Sequence, residues 1–210
     1  MSTETITKPK YSPIANIGIA GAGGIGAFLA ANLFDYGAKR NQFDLGGCKV
    51  TIFDDDIVDA SNLLHQNFYD EDIGKYKAKI VAERSFDMIQ PEIRFMVPSD
   101  FPNFDVIFSA VDSMSFRKDL YEYGYTHPEL FWIDGRCSSR QMGIYHSKLD
   151  KKVLEASITD SKERTGCLLA YDKASKTSHV TPQAVACIMT QTFLNYIRAD
   201  LQLDPIVQMI

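Results

Sequence analysis

The sequence is notable first for what it lacks. No run of about 18 apolar residues occurs anywhere in its 210 residues, so no membrane-spanning helix is expected. The opening "MSTETITKPK" has no apolar core of the kind a signal peptide carries, and a cytoplasmic protein is expected. Cysteine is sparse: Cys48, Cys137, Cys167 and Cys187 stand far apart with no C-x-x-C pair, which excludes zinc ribbons and thioredoxin-like redox motifs. Basic excess is also missing, because 22 Lys and Arg face 27 Asp and Glu for a net charge of −5. A broad surface that wraps nucleic acid is therefore excluded, and a polyanionic ligand would need locally placed positive charge. There is no internal repeat and no low-complexity segment.

What is present is a composition that is 45% hydrophobic and 23% charged, the profile of one soluble domain large enough to bury its own core. Residues 1–13, polar with two prolines, read as a flexible N-terminal arm, and residues 14–210 as a single domain. The apolar run Ile14 to Ala20 has the length and β-branched content of a buried parallel strand and leads through "GAGGIG" into the helical "AFLAANLFDYG". Strand and helix patterns then alternate: "CKVTIF", "KAKIVAERSFDMI", "EIRFMV", "DVIFSAV", "SFRKDLYEYGY", "LFWIDGR". This alternation predicts an α/β, Rossmann-like, doubly wound and mostly parallel sheet. Beyond Arg136, "QMGIYHSKL" and "KVLEASIT" read as two short strands forming an antiparallel addition in the C-terminal part. A final helix is expected from about Pro182, N-capped by Thr181, with Val185, Ile188, Met189, Phe193, Tyr196 and Ile197 along its apolar stripe.

Gly21, Gly23 and Gly26 form G-x-G-x-x-G between a strand and a helix, where backbone N–H groups and the helix dipole hold phosphate. Alone, the motif admits NAD, FAD, S-adenosylmethionine or ATP. Asp54 closes the second strand, the position of a ribose-binding carboxylate, but Asp55 and Asp56 crowd beside it. Three negative charges facing a polyphosphate call for lysines or a divalent metal, and Lys75, Lys77 and Lys79 follow Gly74 at the start of the next helix. A solvated lysine face accounts for the same spacing. Asp112 reads equally as a functional carboxylate or as the cap of the helix that follows.

Taken together, "GIAGAGGIG", "FDDDIVDASNLLHQNFYDEDIGKYKAK" and "FSAVDSMSFR" resemble the ubiquitin-activating-like adenylyltransferases of the ThiF/MoeB type. The shared pattern is Asp54 and Asp56, Val58, Ser61-Asn62-Leu63, Gln66, Gly74 with Lys77, and Asp112 with Arg117. The resemblance implies an enzyme that uses ATP and Mg2+ to adenylate the C-terminal carboxylate of a ubiquitin-like or sulfur-carrier protein, releasing pyrophosphate, and that works as a homodimer. It implies that Gly21, Gly23, Gly24 and Gly26 admit the nucleotide, Asp54 holds its ribose, Asp56 belongs to the same cofactor-binding set, Asn62 and Lys77 contact the phosphates, and Asp112 holds the metal.

Several features depart from the pattern. His65 stands where the family has arginine, so a permanent charge is replaced by a titratable one. Residues 1–13 contain no arginine to offer a partner subunit, the family's zinc-binding cysteine pairs are missing, and residues 171–180 hold no cysteine. Cys167 is the candidate for thioester or persulfide chemistry, and Arg117, Arg136 or Arg140 for the charge lost at position 65. Two other readings stay open: a catalytically degenerate binding module or heterodimer partner, and an NAD-dependent oxidoreductase.

Overall fold

In the computed structural model the described residues are 14–44, 46–138, 141–159, 180–198 and 207–209. Seven strands form one sheet in the order β3-β2-β1-β4-β5-β6-β7: β1 Asn16–Ala20, β2 Lys49–Phe53, β3 Ile89–Glu92, β4 Val106–Ser109, β5 Phe131–Ser138, β6 Gln141–His146 and β7 Val207–Met209. The first five strands of that order are parallel, and β6 and β7 are added antiparallel at the far edge. Helices α1 (Gly24–Phe34), α2 (Lys77–Arg84), α3 (Met114–Thr126), α4 (Lys151–Thr159) and α5 (Thr181–Ile197) cover the two faces. Among the described residues no helix is long and apolar enough to cross a membrane.

The strands are apolar on both sides, and their alternation divides the core. Ile17, Ile19, Val50, Ile52, Phe108, Phe131 and Ile133 face α1, α2 and α5, whereas Ala20, Phe53, Ile107 and Trp132 face α3 and α4. Within α5, Val185, Met189, Phe193 and Ile197 are buried and Ile188 and Tyr196 are half-buried, so the stripe read from the sequence is the packed one.

Four element expectations are corrected. The stretch "KVLEASIT" is helical, not a strand: Asp150 accepts from Lys152 N at 2.8 Å to start α4, and Leu154 and Ile158 one turn apart pack on the α3 side of the sheet. The antiparallel hairpin expected there is made instead by β5 with β6. Next, α2 ends at Arg84 because Phe86 and Asp87 take φ of +51° and +57°, which turns the chain and brings β3 forward to Ile89 rather than Glu92. Pro91 fits there because β3 is an edge strand with only β2 as neighbour. Finally, α5 begins at Thr181 rather than Pro182, and the Thr181 hydroxyl is buried with no hydrogen-bond partner among the described residues, so it is not the cap.

Candidate functional site

The strand ends of β1, β2 and β4 open onto one cleft of about 1150 Å³. Gly21 leaves β1 with φ +92°, donates its N–H to Phe53 O at 2.8 Å, and has Ala110 O only 2.8 Å from where a Cβ would sit. At Gly26 an added Cβ would lie 1.8 Å from Gly21 O, so the first turn of α1 rests directly on the glycine turn. Gly23, by contrast, leaves its space open toward the cleft, with the Gln66 side chain no nearer than 3.9 Å. Backbone can therefore approach a ligand at the N-terminus of α1, where the dipole favours anions.

Asp54 is buried at the end of β2 and ties this turn down. One carboxylate oxygen accepts from Ala22 N at 2.6 Å and the other from Asp56 N at 2.8 Å. Burial pushes the Asp54 carboxyl above the ordinary range, against the pull of these two amides and of Lys77. A carboxylate offers about four lone-pair sites, so acceptor capacity for a ribose hydroxyl is left over.

Lys77 opens α2 with its side chain only 6% exposed and its ammonium 2.8 Å from Asp56, which is itself exposed. Lys77 N also donates to Asp56 O at 2.9 Å, and Gly74, at φ +85°, donates to Val58 O to close the turn ahead of the helix. Lys75 and Lys79 are exposed and remain a solvated face; Lys77 alone of the three lines the cleft. Asn62 is buried in a short 3-10 turn, Asn62–Leu64, where its side-chain oxygen accepts from Asp59 N at 3.1 Å. His65 and Gln66 follow it into the cleft wall, with His65 O about 3.4 Å from an added Cβ at Gly24.

Asp112 stands exposed on the loop after β4, in the cleft lining and without a hydrogen bond or ion pair to the described residues. It is not the cap of α3. Ser113 is, its hydroxyl accepting from Phe116 N at 3.3 Å. Asp54, Asp55 and Asp56 are the three acids whose ligand atoms lie within 4.8 Å of one another, and Asp112 is not among them. Since Asp54 is engaged with amides and Asp56 with Lys77, the acids of this cleft wall with both oxygens uncommitted to described residues are Asp112, on the loop leaving β4, and Asp119, on α3.

Two of the arginines proposed to replace a missing clamp are instead tied up. Asp134, fully buried on β5, accepts from Ser109 Oγ at 2.8 Å and Arg117 Nε at 3.1 Å on one oxygen, and from Tyr121 OH at 2.7 Å and Arg136 Nε at 2.8 Å on the other. Arg117 also donates to Val111 O, and Arg136 to Ser157 O at 2.9 Å on α4. Burial alone would raise the Asp134 carboxyl, but the two guanidinia outweigh it and hold it below the ordinary range. Arg140 and Cys167 lie outside the described residues.

Sequence reasoning missed the breadth of the cleft. From the glycine turn it continues over β5, β6 and α4, so Cys137, Met142, Tyr145 and Val153 line it together with Gly23 and Lys77. Cys137 carries no spacing motif that would mark it. The only available signal was "IDGRCSSR" ending a strand, and reading α4 as a strand removed the wall that encloses this arm.

Residues 13–204 match the model of the ThiF family. Among solved structures, E. coli MccB with AMPCPP and selenomethionine MccA superimposes with TM-score 0.65 at 14% identity, over 93% of this chain and 63% of that one. E. coli MccB with ATP gives TM-score 0.62 at 12% identity, over 93% and 63%. PaaA gives 0.60 at 14%, over 93% and 64%. This chain thus spans just under two thirds of the length of these neighbours. No curated protein matches the sequence.

Proposed function

Because the chain belongs to the ThiF family, we propose that it adenylates the C-terminal carboxylate of a peptide or protein. A carboxylate oxygen attacks the α-phosphorus of ATP, the bond to the bridging oxygen breaks, and the products are an acyl adenylate and pyrophosphate. The observation that carries this is the single cleft in which an open glycine turn at a helix N-terminus, a buried lysine and an uncommitted aspartate meet a second, larger arm. An ordinary small-molecule site occupies about 300–1000 Å³, and this cleft exceeds it, as a site for two substrates should. E. coli MccB, whose fold this chain shares, has been solved with ATP and with the MccA peptide, which supports the same pairing of substrates.

The residues present fit Mg-ATP. The turn at Gly21, Gly23, Gly24 and Gly26 admits the nucleotide, and Asp54 keeps lone pairs for the ribose beside Asp56. Lys77 exchanges Asp56 for phosphate oxygens and Asn62 donates alongside it, which orients the α-phosphorus for in-line attack. Mg2+ held by Asp112 would neutralise charge on the phosphates as pyrophosphate leaves. Lys77, Asp112, Asn62 and His65 are the candidate catalytic groups. The substrate is a peptide or protein C-terminus, for which the family resemblance offers ubiquitin-like and sulfur-carrier proteins as one class, in the cytoplasm and on a homodimer whose mass sedimentation would report. The NAD reading leaves Lys77, Asn62 and the second arm without a task.

The deciding experiment is calorimetric titration with ATP plus magnesium, with NAD as control. ATP is expected to bind, with affinity lost in Lys77→Ala, and peptide-dependent exchange of labelled pyrophosphate into ATP should follow. ATP binding without exchange for any terminus would favour the degenerate module; NAD binding in place of ATP would overturn the proposal.

A further inference from the structure

The second arm of the cleft has a chemistry of its own. Cys137 on β5, Met142 and Tyr145 on β6, and Val153 and Ala156 on α4 give it an apolar stretch, in which Val153 is 40% exposed, with Gln141 and Ser157 as polar neighbours. Beside this stretch is the Asp134 cluster. It contains one carboxylate and two guanidinia, Arg117 and Arg136, both of which line the cleft, so the cluster itself carries one net positive charge. Arg136 cannot swing out to a ligand: Asp134, Ser157 and the Tyr121 hydroxyl fix it, and its guanidinium lies 4.4 Å from the centre of the Tyr145 ring. Its charge acts from a fixed position in a low-dielectric wall, where a field is strong and no reorganisation is needed.

An arm with one fixed positive charge and an apolar lining suits a ligand end with one negative charge and an apolar side chain. We propose that this arm receives the last residue of the acceptor peptide, and that this residue carries an uncharged apolar side chain, against Met142, Tyr145 and Val153, rather than being glycine. The inference rests on the adenylation reading and deepens it. The carboxylate sits toward Arg117 and Arg136, on the side of the cleft that continues to the glycine turn, while the side chain fills the space that a terminal glycine would leave to water. An acidic last residue would bring a second negative charge against the apolar stretch, where both guanidinia are already engaged by Asp134 and by backbone oxygens.

The test is direct binding, so that it does not depend on turnover. The full chain, saturated with a non-hydrolysable ATP analogue and magnesium, is titrated calorimetrically with four short peptides identical except at the end: leucine, glycine, aspartate, and leucine as its C-terminal amide. The leucine acid is expected to bind at least about 10-fold more tightly than the glycine acid, the scale of filling an apolar pocket, and the aspartate and amide forms weaker still. Val153→Asp, on the exposed side of α4, should remove the leucine preference while analogue binding stays as in wild type. Equal affinity for leucine and glycine, equal affinity for acid and amide, no peptide binding, or a preference untouched by Val153→Asp would each overturn the inference. Failure of the analogue itself to bind would instead sink the adenylation reading, and a leucine preference measured without it would still uphold the apolar arm.

Discussion

Lys77 and Asp112 occupy opposite electrostatic situations. Lys77 is buried and held by Asp56, whereas Asp112 is exposed and makes no hydrogen bond or ion pair to the described residues. Removing Asp112 should therefore leave the fold within the roughly 0.5 kcal/mol typical of surface substitutions, while removing magnesium-dependent turnover. Urea denaturation with pyrophosphate exchange on Asp112→Ala checks both halves, and an active Asp112→Ala protein would eliminate its metal role. His65 poses a different test, because an imidazole replaces a permanent cation beside the glycine turn. Where its charged form serves the phosphates, the rate falls as pH rises and the imidazolium loses its proton. His65→Arg should abolish that fall. A wild-type pH profile that is flat would exclude the imidazolium.

At the level of elements, the glycine turn separates folding from binding. Gly26→Ala places a methyl 1.8 Å from a backbone oxygen, so the first turn of α1 must move off the turn. The cost should reach or exceed the roughly 1–3 kcal/mol of ordinary overpacking, seen as a lowered melting temperature. Gly23→Ala meets nothing closer than 3.9 Å and should melt near wild type yet bind ATP more weakly, since its methyl enters the ligand's space. Equal losses of stability in the two variants would contradict this division. The turn was legible in the sequence because a strand, three spaced glycines and a helix carry strong local signals. So were the central parallel strands β1, β2, β4 and β5, and α5 with its long apolar periodicity, though β3 was not. What was not legible is non-local. The pattern in "KVLEASIT" is short and alternates as well as it turns, so the Asp150 cap and the packing of Leu154 decide it as helix. Arg117 and Arg136 read as substitutes for the missing charge until the packing of α3 on the sheet brings Arg117 to Asp134, which already holds Arg136 two residues along β5.

For the molecule as a whole, that buried cluster is where strands and helices are tied together. Through Asp134 it joins β5 to β4 by Ser109, to α3 by Arg117 and Tyr121, and through Arg136 to α4 by Ser157. Asp134→Asn keeps the shape but leaves two guanidinia facing each other without a carboxylate, and breaking a buried pair in this way costs about 3–5 kcal/mol. The cost must depend on pH with a definite sign. Because Asp134 is held below its ordinary value of 3.8 in the folded chain, its ionised form stabilises the fold fully above that pH, and the benefit is lost as pH falls through the lower, folded value. Asp54 works the other way: burial raises it, so whatever it adds is present below 3.8 and lost as pH rises through its higher, folded value. Comparing wild type with Asp134→Asn isolates the first of these, since Asp54 is common to both. Urea denaturation at pH 7, 5 and 3 should give a difference in unfolding free energy that is constant between the first two and narrows at the third. A difference that stays the same down to pH 3 would mean that the asparagine acts through packing alone, and that the charge on Asp134 does not hold the two halves of the sheet to α3 and α4.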